Sequence, residues 1–155
     1  MIRAAWPRKI LIHISSAALL AMSVHAQASN DTPVGRWKTF DDDTGEATSI
    51  IKIRNIDGEL RGWIDKILKT PEEGALPTCT LCEGKLKDAP VQGMRFMWGL
   101  RKEGDEWTGG EVLDPETGKI YHMNMALEDA GRKLEVRGYI GIPLLGRTQT
   151  WTRVK

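Results

Sequence analysis

The stretch V-R-G-Y-I-G-I-P-L-L-G-R-T-Q-T-W-T-R-V, residues 136–154, decides the fold that this sequence predicts. It contains two runs in which side chains alternate with a period of two, joined by a Gly/Pro loop, as in the two strands of a hairpin. A closed antiparallel barrel has no free edges, so its first and last strands must pair. We therefore expect the end of this stretch to lie beside Gly35, Arg36 and Trp37.

The first 28 residues are predicted to be a secretory signal peptide. Arg3, Arg8 and Lys9 precede a mostly apolar run, residues 10–24, and Ala26-Gln27-Ala28 supplies a small-x-small cleavage pattern. Polar residues interrupt the run, which is shorter than the roughly 20 apolar residues of a membrane anchor. We expect cleavage after Ala28 and no membrane span in the remaining chain.

The mature chain, residues 29–155, is predicted to be a single domain. Removing 28 of the 155 residues leaves 127, which suits one hydrophobic core. The signal peptide carries three of the 22 basic residues and no acidic one, so the mature balance is 19 basic against 21 acidic residues. This near-neutral balance argues against nucleic acid or an anionic membrane surface as a partner, since both favour a basic face.

Period-two alternation and turn residues predict an all-β fold, an eight-stranded antiparallel up-and-down barrel. No segment after residue 28 shows a sustained 3.6-residue apolar stripe, and a barrel of this size can hold one small ligand. Asp57-Gly58 predicts a type I′ hairpin turn. The predicted strands are 34–40, 48–56, 59–68, 94–102, 107–113, 120–127, 133–140 and 147–154.

Two turns share a pattern, D-D-D-T-G-E at 41–46 and D-P-E-T-G-K at 114–119, and we expect both to form the same kind of hairpin. The three aspartates of the first turn could supply oxygen ligands to calcium, but their spacing does not match the helix-flanked calcium loop, which favours turn chemistry. His122 falls on the predicted outer face with no marked catalytic partner, so a surface histidine is favoured.

A long loop, residues 69–90, joins the third and fourth strands and contains both Cys79 and Cys82. Helix in the whole mature chain is expected to be limited to a turn or two near residues 71–74 of this loop. A cross-link is the favoured interpretation, because an exported chain with an even cysteine count forms disulfides. The C-x-x-C spacing leaves open a redox pair, which needs a helix N-terminus, and a reduced or metal-bound pair, which needs further ligands.

Alternation also predicts which side chains face the barrel interior. In the fourth strand Met94, Phe96, Trp98 and Leu100 are expected to point inward. In the last strand Arg147, Gln149, Trp151 and Arg153 share one face, and neither face is plainly apolar, so the pattern does not orient it. The other residues expected on the inner face are Leu60, Ile64 and Leu68 of strand three, Tyr121, Met123, Met125 and Leu127 of strand six, and Leu134, Val136, Gly138 and Ile140 of strand seven.

Several separated motifs together resemble a known family. Gly35-x-Trp37, with an arginine on the last strand (Arg147 or Arg153) able to stack over the tryptophan, resembles the lipocalin and calycin signature. More specifically, G-R-W-K-T-F-D-D-D-T-G-E, C-T-L-C-E-G, G-G-E-V-L-D-P-E-T-G-K-I-Y and the opening stretch are similar to a secreted bacterial lipocalin-like family, domain of unknown function 2147. The resemblance implies a lipocalin-like barrel exported to the periplasm or beyond, with no established activity.

The numerous tryptophans and the methionines on inner faces favour one function over the others. Such side chains either fill a core or line a pocket that adapts to an apolar ligand. We expect a non-enzymatic barrel that binds or carries a small hydrophobic or amphipathic molecule, fatty-acid-like, with no metal or cofactor, while Lys66, Arg147 and Gln149 could orient its head group. The alternative is a solid barrel that docks an envelope protein through loop 69–90. The predicted ligand-binding residues are Trp37, Ile64, Phe96, Trp98, Tyr121, Met123, Met125, Arg147 and Gln149.

Overall fold

The structure, a computed structural model, describes residues 30–69 and 77–155. The predicted signal peptide and the predicted helical turn near residues 71–74 lie outside these ranges. Within them, short 3₁₀ turns occur at Gly84–Leu86, Asp129–Gly131 and Pro143–Leu145, so the limit of helix to residues 71–74 is wrong. All eight predicted strands are present, with bounds that differ from the predicted ones by at most one residue. They are β1 (Gly35–Phe40), β2 (Ala47–Ile56), β3 (Glu59–Ile67), β4 (Arg95–Glu103), β5 (Glu106–Leu113), β6 (Ile120–Glu128), β7 (Lys133–Tyr139) and β8 (Arg147–Arg153).

The strands form a closed antiparallel barrel in sequence order, which confirms the predicted topology. Closure is made by β1 and β8, where Trp37 is opposite Arg153 and Lys38 is opposite Thr152. The Val154 amide extends this contact by donating to the Arg36 carbonyl over 2.9 Å. Every strand therefore has two neighbours, and the sheet presents no open edge for pairing with another chain.

The hairpin turns adopt the predicted geometries. Asp57 and Gly58 both have positive φ values, 55° and 81°, as a type I′ turn requires. The two similar turns also match each other. Gly45 donates to the Asp41 carbonyl, Gly118 donates to the Asp114 carbonyl, and both bonds are 2.8 Å long. Because the φ of both glycines is 70°, the shared Thr-Gly ending encodes one backbone conformation at two places in the barrel.

Trp98 was expected to point inward, but two irregularities in β4 place it on the outer face. Phe96 is an extra residue between Arg95 and Met97 in the pairing with β3, and Gly99, with a φ of 83°, disturbs the strand again. The alternation is therefore right at Phe96 and at Leu100 but wrong between them. Met97, which the pattern did not place inside, is fully buried, whereas Trp98 pairs with Glu111 on the outer face.

A register shift in β3 changes its face assignment in the same way. Ile51 is opposite Ile64 and Ile50 is opposite Lys66, so Asp65 is an extra residue. Beyond it Lys66 turns outward, and its predicted role in the interior is wrong. Leu68 and Ile140 were also expected inside, but they lie just past the ends of β3 and β7 and are 39% and 66% exposed.

One end of the barrel is closed by a tryptophan plug. The Trp37 side chain is fully buried, and its Nε1 donates to the Pro33 carbonyl over 2.7 Å. The guanidinium of Arg153 lies 4.2 Å from the centre of the Trp37 ring, an arrangement that favours cation–π attraction. The stacking arginine is thus Arg153, which settles the choice that the sequence left open between Arg153 and Arg147.

Large side chains fill the middle of the barrel because glycines face them. A Cβ on Gly62 would overlap the Met97 side chain, and a Cβ on Gly110 would overlap Leu100. Protein interiors tolerate little overlap, so these glycines are required where long side chains cross the core. The largest fully buried side chains of the protein are Trp37, Ile53, Leu60, Met97, Leu100, Met123 and Leu134, together with Pro33 and Cys79.

Candidate ligand-binding site

The two ends of the barrel differ in their connections. The closed end, beside the plug, carries the tight turns after β2, β4 and β6. The opposite end, called the open end below, carries the longer connections, residues 41–46, 68–94, 114–119 and 140–146. Because the plug occupies the closed end and the middle is filled, a ligand site inside the barrel belongs at the open end.

The orientation of β8, which the sequence did not determine, brings polar groups to this end. Arg147, Gln149, Trp151 and Arg153 lie on the inner face, since Trp151 is opposite Leu134 and Gln149 is opposite Val136. From Trp151 to Arg147 their exposure increases toward the open end. Trp151 is 4% exposed, Gln149 is half-buried, and the Arg147 side chain is 71% exposed. The inner face of β8 thus changes from apolar core to a polar rim within five residues.

Hydrogen bonds join the polar rim to an aspartate of the first turn. Gln149 Nε2 donates to Asp42 Oδ1 over 3.1 Å, and the Arg147 guanidinium forms an ion pair with Asp42 Oδ2. Gln149 Oε1 in turn accepts from Trp151 Nε1 over 3.3 Å. The four residues Asp42, Arg147, Gln149 and Trp151 are called the rim cluster below. It presents a guanidinium, a carboxylate and an amide above the indole ring.

Apolar side chains lie below the rim cluster. The Phe96 ring centre is 6.5 Å from that of Trp151, and the two rings are tilted by 32°. Val136 is opposite both Gln149 and Met125 across its two neighbouring strands. Phe96, Met125 and Val136 are each buried to more than 90%, as is Ile64. The arrangement has the character of an amphiphile site, with a charged head-group region above an adaptable apolar wall.

The structure separates the nine predicted site residues into five groups. Arg147 and Gln149 belong to the rim cluster, and Phe96, Met125 and Ile64 belong to the buried apolar set below it. Tyr121 is half-buried on the inner face beside Val112. Two others fill the core, Trp37 as the plug and Met123 fully buried. Trp98 lies on the outer wall, where its Nε1 donates to Glu111 Oε2 over 2.8 Å.

Sequence reasoning missed two members of the rim cluster, Asp42 and Trp151. Asp42 was assigned to turn chemistry, and its contact with Gln149 spans 107 residues of sequence, so no local pattern marks it. Trp151 was recognised as an aromatic residue without an assigned face. The usable signal was closure itself, because pairing Trp37 with Arg153 places Trp151 on the inner face.

The connection between β3 and β4, called the cysteine loop below, packs beside the open end, and its Cys79 and Cys82 form a disulfide. Both are buried, with 0% and 3% exposure, and Cys79 Sγ lies 3.2 Å from the Pro115 carbonyl oxygen of the β5–β6 turn. An isolated antiparallel β-bridge between the backbones of Thr78 and Pro90 closes the base of the loop. This burial supports the structural interpretation over a redox pair, because exchange requires an accessible sulfur.

A groove of about 190 Å³ lies on the outer wall, outside the barrel interior. Asn124, Ala126, Glu135 and Arg137 of β6 and β7 line it together with Pro143. Arg137 is engaged there, since its guanidinium donates to the carbonyls of Pro143 and Leu144. Among residues 30–69 and 77–155, no group of three or more His, Cys, Asp or Glu side chains could hold a metal ion, and no helix is long and apolar enough to cross a membrane.

Comparison with known proteins agrees with this geometry. A Helicobacter pylori protein described as belonging to the lipocalin family has a similar solved structure, with a TM-score of 0.67 and 21% identity over 79% of this chain and 82% of that one. This likeness shows a lipocalin-like fold. No curated protein matches the chain. A family model described as an uncharacterized protein conserved in bacteria, DUF2147, matches residues 35–153. The chain therefore belongs to the DUF2147 family of bacterial proteins.

Proposed function

We propose that this protein binds a small amphipathic molecule, fatty-acid-like, at the open end of its barrel and performs no catalysis. The rim cluster is the observation that carries the proposal. It holds one exposed guanidinium, Arg147, directly above a buried wall of aromatic and methionine side chains. A carboxylate head group and an apolar tail need these two environments side by side.

Asp42 is suited to give way to such a ligand. An ion pair whose arginine side chain is 71% exposed contributes little stability, about 0–1 kcal/mol, so its replacement by a ligand carboxylate costs little. Gln149 can then donate to the same head group, because its amide already reaches the position of the Asp42 oxygen. In this proposal Asp42 occupies the head-group position when no ligand is bound.

Calorimetric titration with a long-chain fatty acid and with its methyl ester tests this assignment. R147Q should weaken binding of the acid about tenfold, since it removes a charged hydrogen-bond donor, and should leave binding of the ester nearly unchanged. D42N should strengthen binding of the acid, because it releases Arg147. R95Q, at an exposed arginine of the outer face, is the matched control. If neither acid nor ester binds the wild-type protein, the proposal is wrong.

Export is the second part of the proposal. The buried Cys79–Cys82 disulfide supports it, because disulfides form and persist in oxidising compartments such as the periplasm. The mature protein would then begin after Ala28 and reside in the periplasm or outside the cell. The intact mass of protein recovered from the periplasmic fraction should equal that of residues 29–155 with one disulfide. A mass that includes residues 1–28 contradicts this part alone.

A second candidate function is docking of an envelope protein through the cysteine loop. Leu81 favours it, since this leucine is 61% exposed on a segment pinned by the disulfide and flanked by exposed Lys85 and Lys87. A photo-crosslinker at position 81 should then capture one discrete protein in cells, and C79S/C82S should abolish that capture while fatty-acid binding persists. A crosslinker that captures nothing removes this candidate.

A further inference from the structure

Exposed apolar residues are confined to one end of this barrel. In residues 30–69 and 77–155, each exposed large hydrophobic residue lies in or beside a connection of the open end. The closed-end connections, Asp57-Gly58, Gly104-Asp105 and Asp129–Gly131, are polar or small. The residues concerned are Leu68, Leu81, Leu86, Ile120, Ile140, Ile142, Leu144 and Leu145. Solitary exposed leucines are ordinary on protein surfaces, but such grouping marks an interaction surface.

Five of these residues form one patch, called the apolar tip below. Ile140, Ile142, Leu144 and Leu145 lie within six consecutive residues of the β7–β8 loop, and Ile120 begins β6 next to the end of β7. Leu144 and Leu145 are 80% and 79% exposed, the highest values among the exposed large hydrophobics. The apolar side chains of the tip therefore project into solvent, and no other part of the tip covers them.

The backbone of the tip is held in place while its side chains stay in solvent. Arg137 Nε donates to the Pro143 carbonyl over 2.6 Å, and its other nitrogens reach the Leu144 carbonyl at 3.2 Å and Thr148 Oγ1 at 2.5 Å. Gly146 packs against the Gly138 carbonyl, where a Cβ would be only 2.6 Å away. These contacts thus fix the loop in the conformation that exposes its isoleucines and leucines.

The charged residues within the segments of the tip are cationic. The two segments that form it, residues 119–122 and 137–149, contain Lys119, Arg137 and Arg147 and no acidic residue. Asp42 pairs with Arg147, which leaves Lys119 and Arg137 as the cations beside the apolar side chains, while the carboxylates of Glu106 and Glu135 line the outer-wall groove with Arg137 and Glu116 lies in the connection that ends in Lys119. The near-neutral balance of the whole mature chain hides this local distribution, and for that reason composition alone argued against an anionic membrane surface.

We propose that the apolar tip docks the open end of the barrel onto the surface of an anionic lipid bilayer. Projecting leucines and isoleucines beside cations match the interface between acyl chains and anionic head groups. A second copy of the chain fits less well, because a stable interface buries about 800 Å² per partner and a short projecting loop supplies a small part of that area. This docking goes beyond ligand binding and does not depend on it.

Flotation of the full-length mature protein with phosphatidylglycerol-containing vesicles tests the proposal. L144D/L145D should reduce the bound fraction at least about tenfold, because each buried leucine contributes strongly to transfer into lipid. K119Q should reduce it about fivefold, the effect of removing one basic residue near an anionic surface. The matched control N55D/A130D adds the same two charges at exposed closed-end positions and should float like the wild type.

Three outcomes would overturn docking on lipid: no flotation of the wild type, equal flotation of L144D/L145D, or a wild-type dimer in light scattering that L144D/L145D converts to a monomer. The last outcome would show that a second copy covers the tip. Circular dichroism and unfolding midpoints equal to those of the wild type exclude misfolding of the variants. Calorimetric fatty-acid binding is measured on the same proteins, so a failure of docking is distinguishable from a failure of ligand binding.

Discussion

Arg153 joins several parts of the closed end. Its guanidinium donates to the carbonyls of Gly131, Val34 and Thr32 over 2.6, 3.0 and 2.7 Å while it lies over the Trp37 ring. Partial burial lowers the pKa of Arg153 from its usual high value, yet the side chain stays charged at neutral pH. It therefore ties the N-terminal segment, the β6–β7 turn and the plug together.

R153A should destabilise the protein by about 3 kcal/mol, since three charge-assisted hydrogen bonds and the cation–π contact disappear together. R153K keeps the charge but lacks the planar fork, so about half of that loss is expected. Urea unfolding measures the loss of stability in both variants, and the slope of the unfolding free energy against urea concentration should equal that of the wild type. R101A, at an exposed arginine, is the control and should cost less than about 0.5 kcal/mol. An R153A midpoint equal to that of R101A would contradict this role.

At the scale of elements, bulges decide which residues face the ligand. Without the extra Phe96 and the disturbance at Gly99, Trp98 would point inward as the alternation predicts. The extra Asp65 similarly turns Lys66 outward. Bulges bend the strands of a small barrel, and beyond each bulge the inner and outer positions of the strand exchange. The period-two pattern of the sequence does not indicate where these bulges lie. Face assignment from the sequence is therefore reliable only up to the first bulge.

The two matching turns provide an internal comparison. Gly45 and Gly118 share a φ of 70°, but nothing lies within 4 Å of a Cβ on Gly45, whereas a Cβ on Gly118 would overlap the Leu81 carbonyl of the cysteine loop. G45A should cost about 1 kcal/mol for the left-handed conformation alone. G118A should cost about 2 kcal/mol more, because the loop must shift. Thermal or urea unfolding compares them, and equal losses would show that the loop does not pack on this turn.

Across the whole molecule, hydrogen bonds from positively charged or backbone donors depress the pKa of several carboxylates. The Arg61 guanidinium and the Gly99 amide lower the pKa of Glu59 below its ordinary 4.5. The backbone amide and hydroxyl of Thr44 lower that of Asp41. The Arg132 guanidinium lowers that of Asp129. These groups lie in different connections and strands, so acid acts on the barrel as a whole.

These shifts predict how stability depends on pH. Below about pH 4.5 the unfolded chain binds protons that the folded protein still excludes at Glu59, so the free energy of unfolding falls as the pH falls. Above that pH this contribution is fully present. E59Q should lower stability at neutral pH and make the acid dependence shallower. Urea midpoints between about pH 3 and 7 measure both slopes, and parallel curves for the two proteins would contradict the assignment.

Local sequence determined the elements of this protein, because strand alternation and turn residues act between near neighbours in the chain. All eight strands, the Asp57-Gly58 turn and the matching Thr-Gly turns follow from such signals. The cysteine spacing and the exported-chain argument similarly predicted the disulfide.

Tertiary structure alone decided the site. The inner face of β8, the contact between Asp42 and Gln149, and the grouping of apolar residues at one end depend on barrel closure and on bulges. These relations join residues up to 107 positions apart, and no short-range preference encodes them. The physical reason is that a period-two pattern defines two faces of a strand, while only packing selects which face is inside.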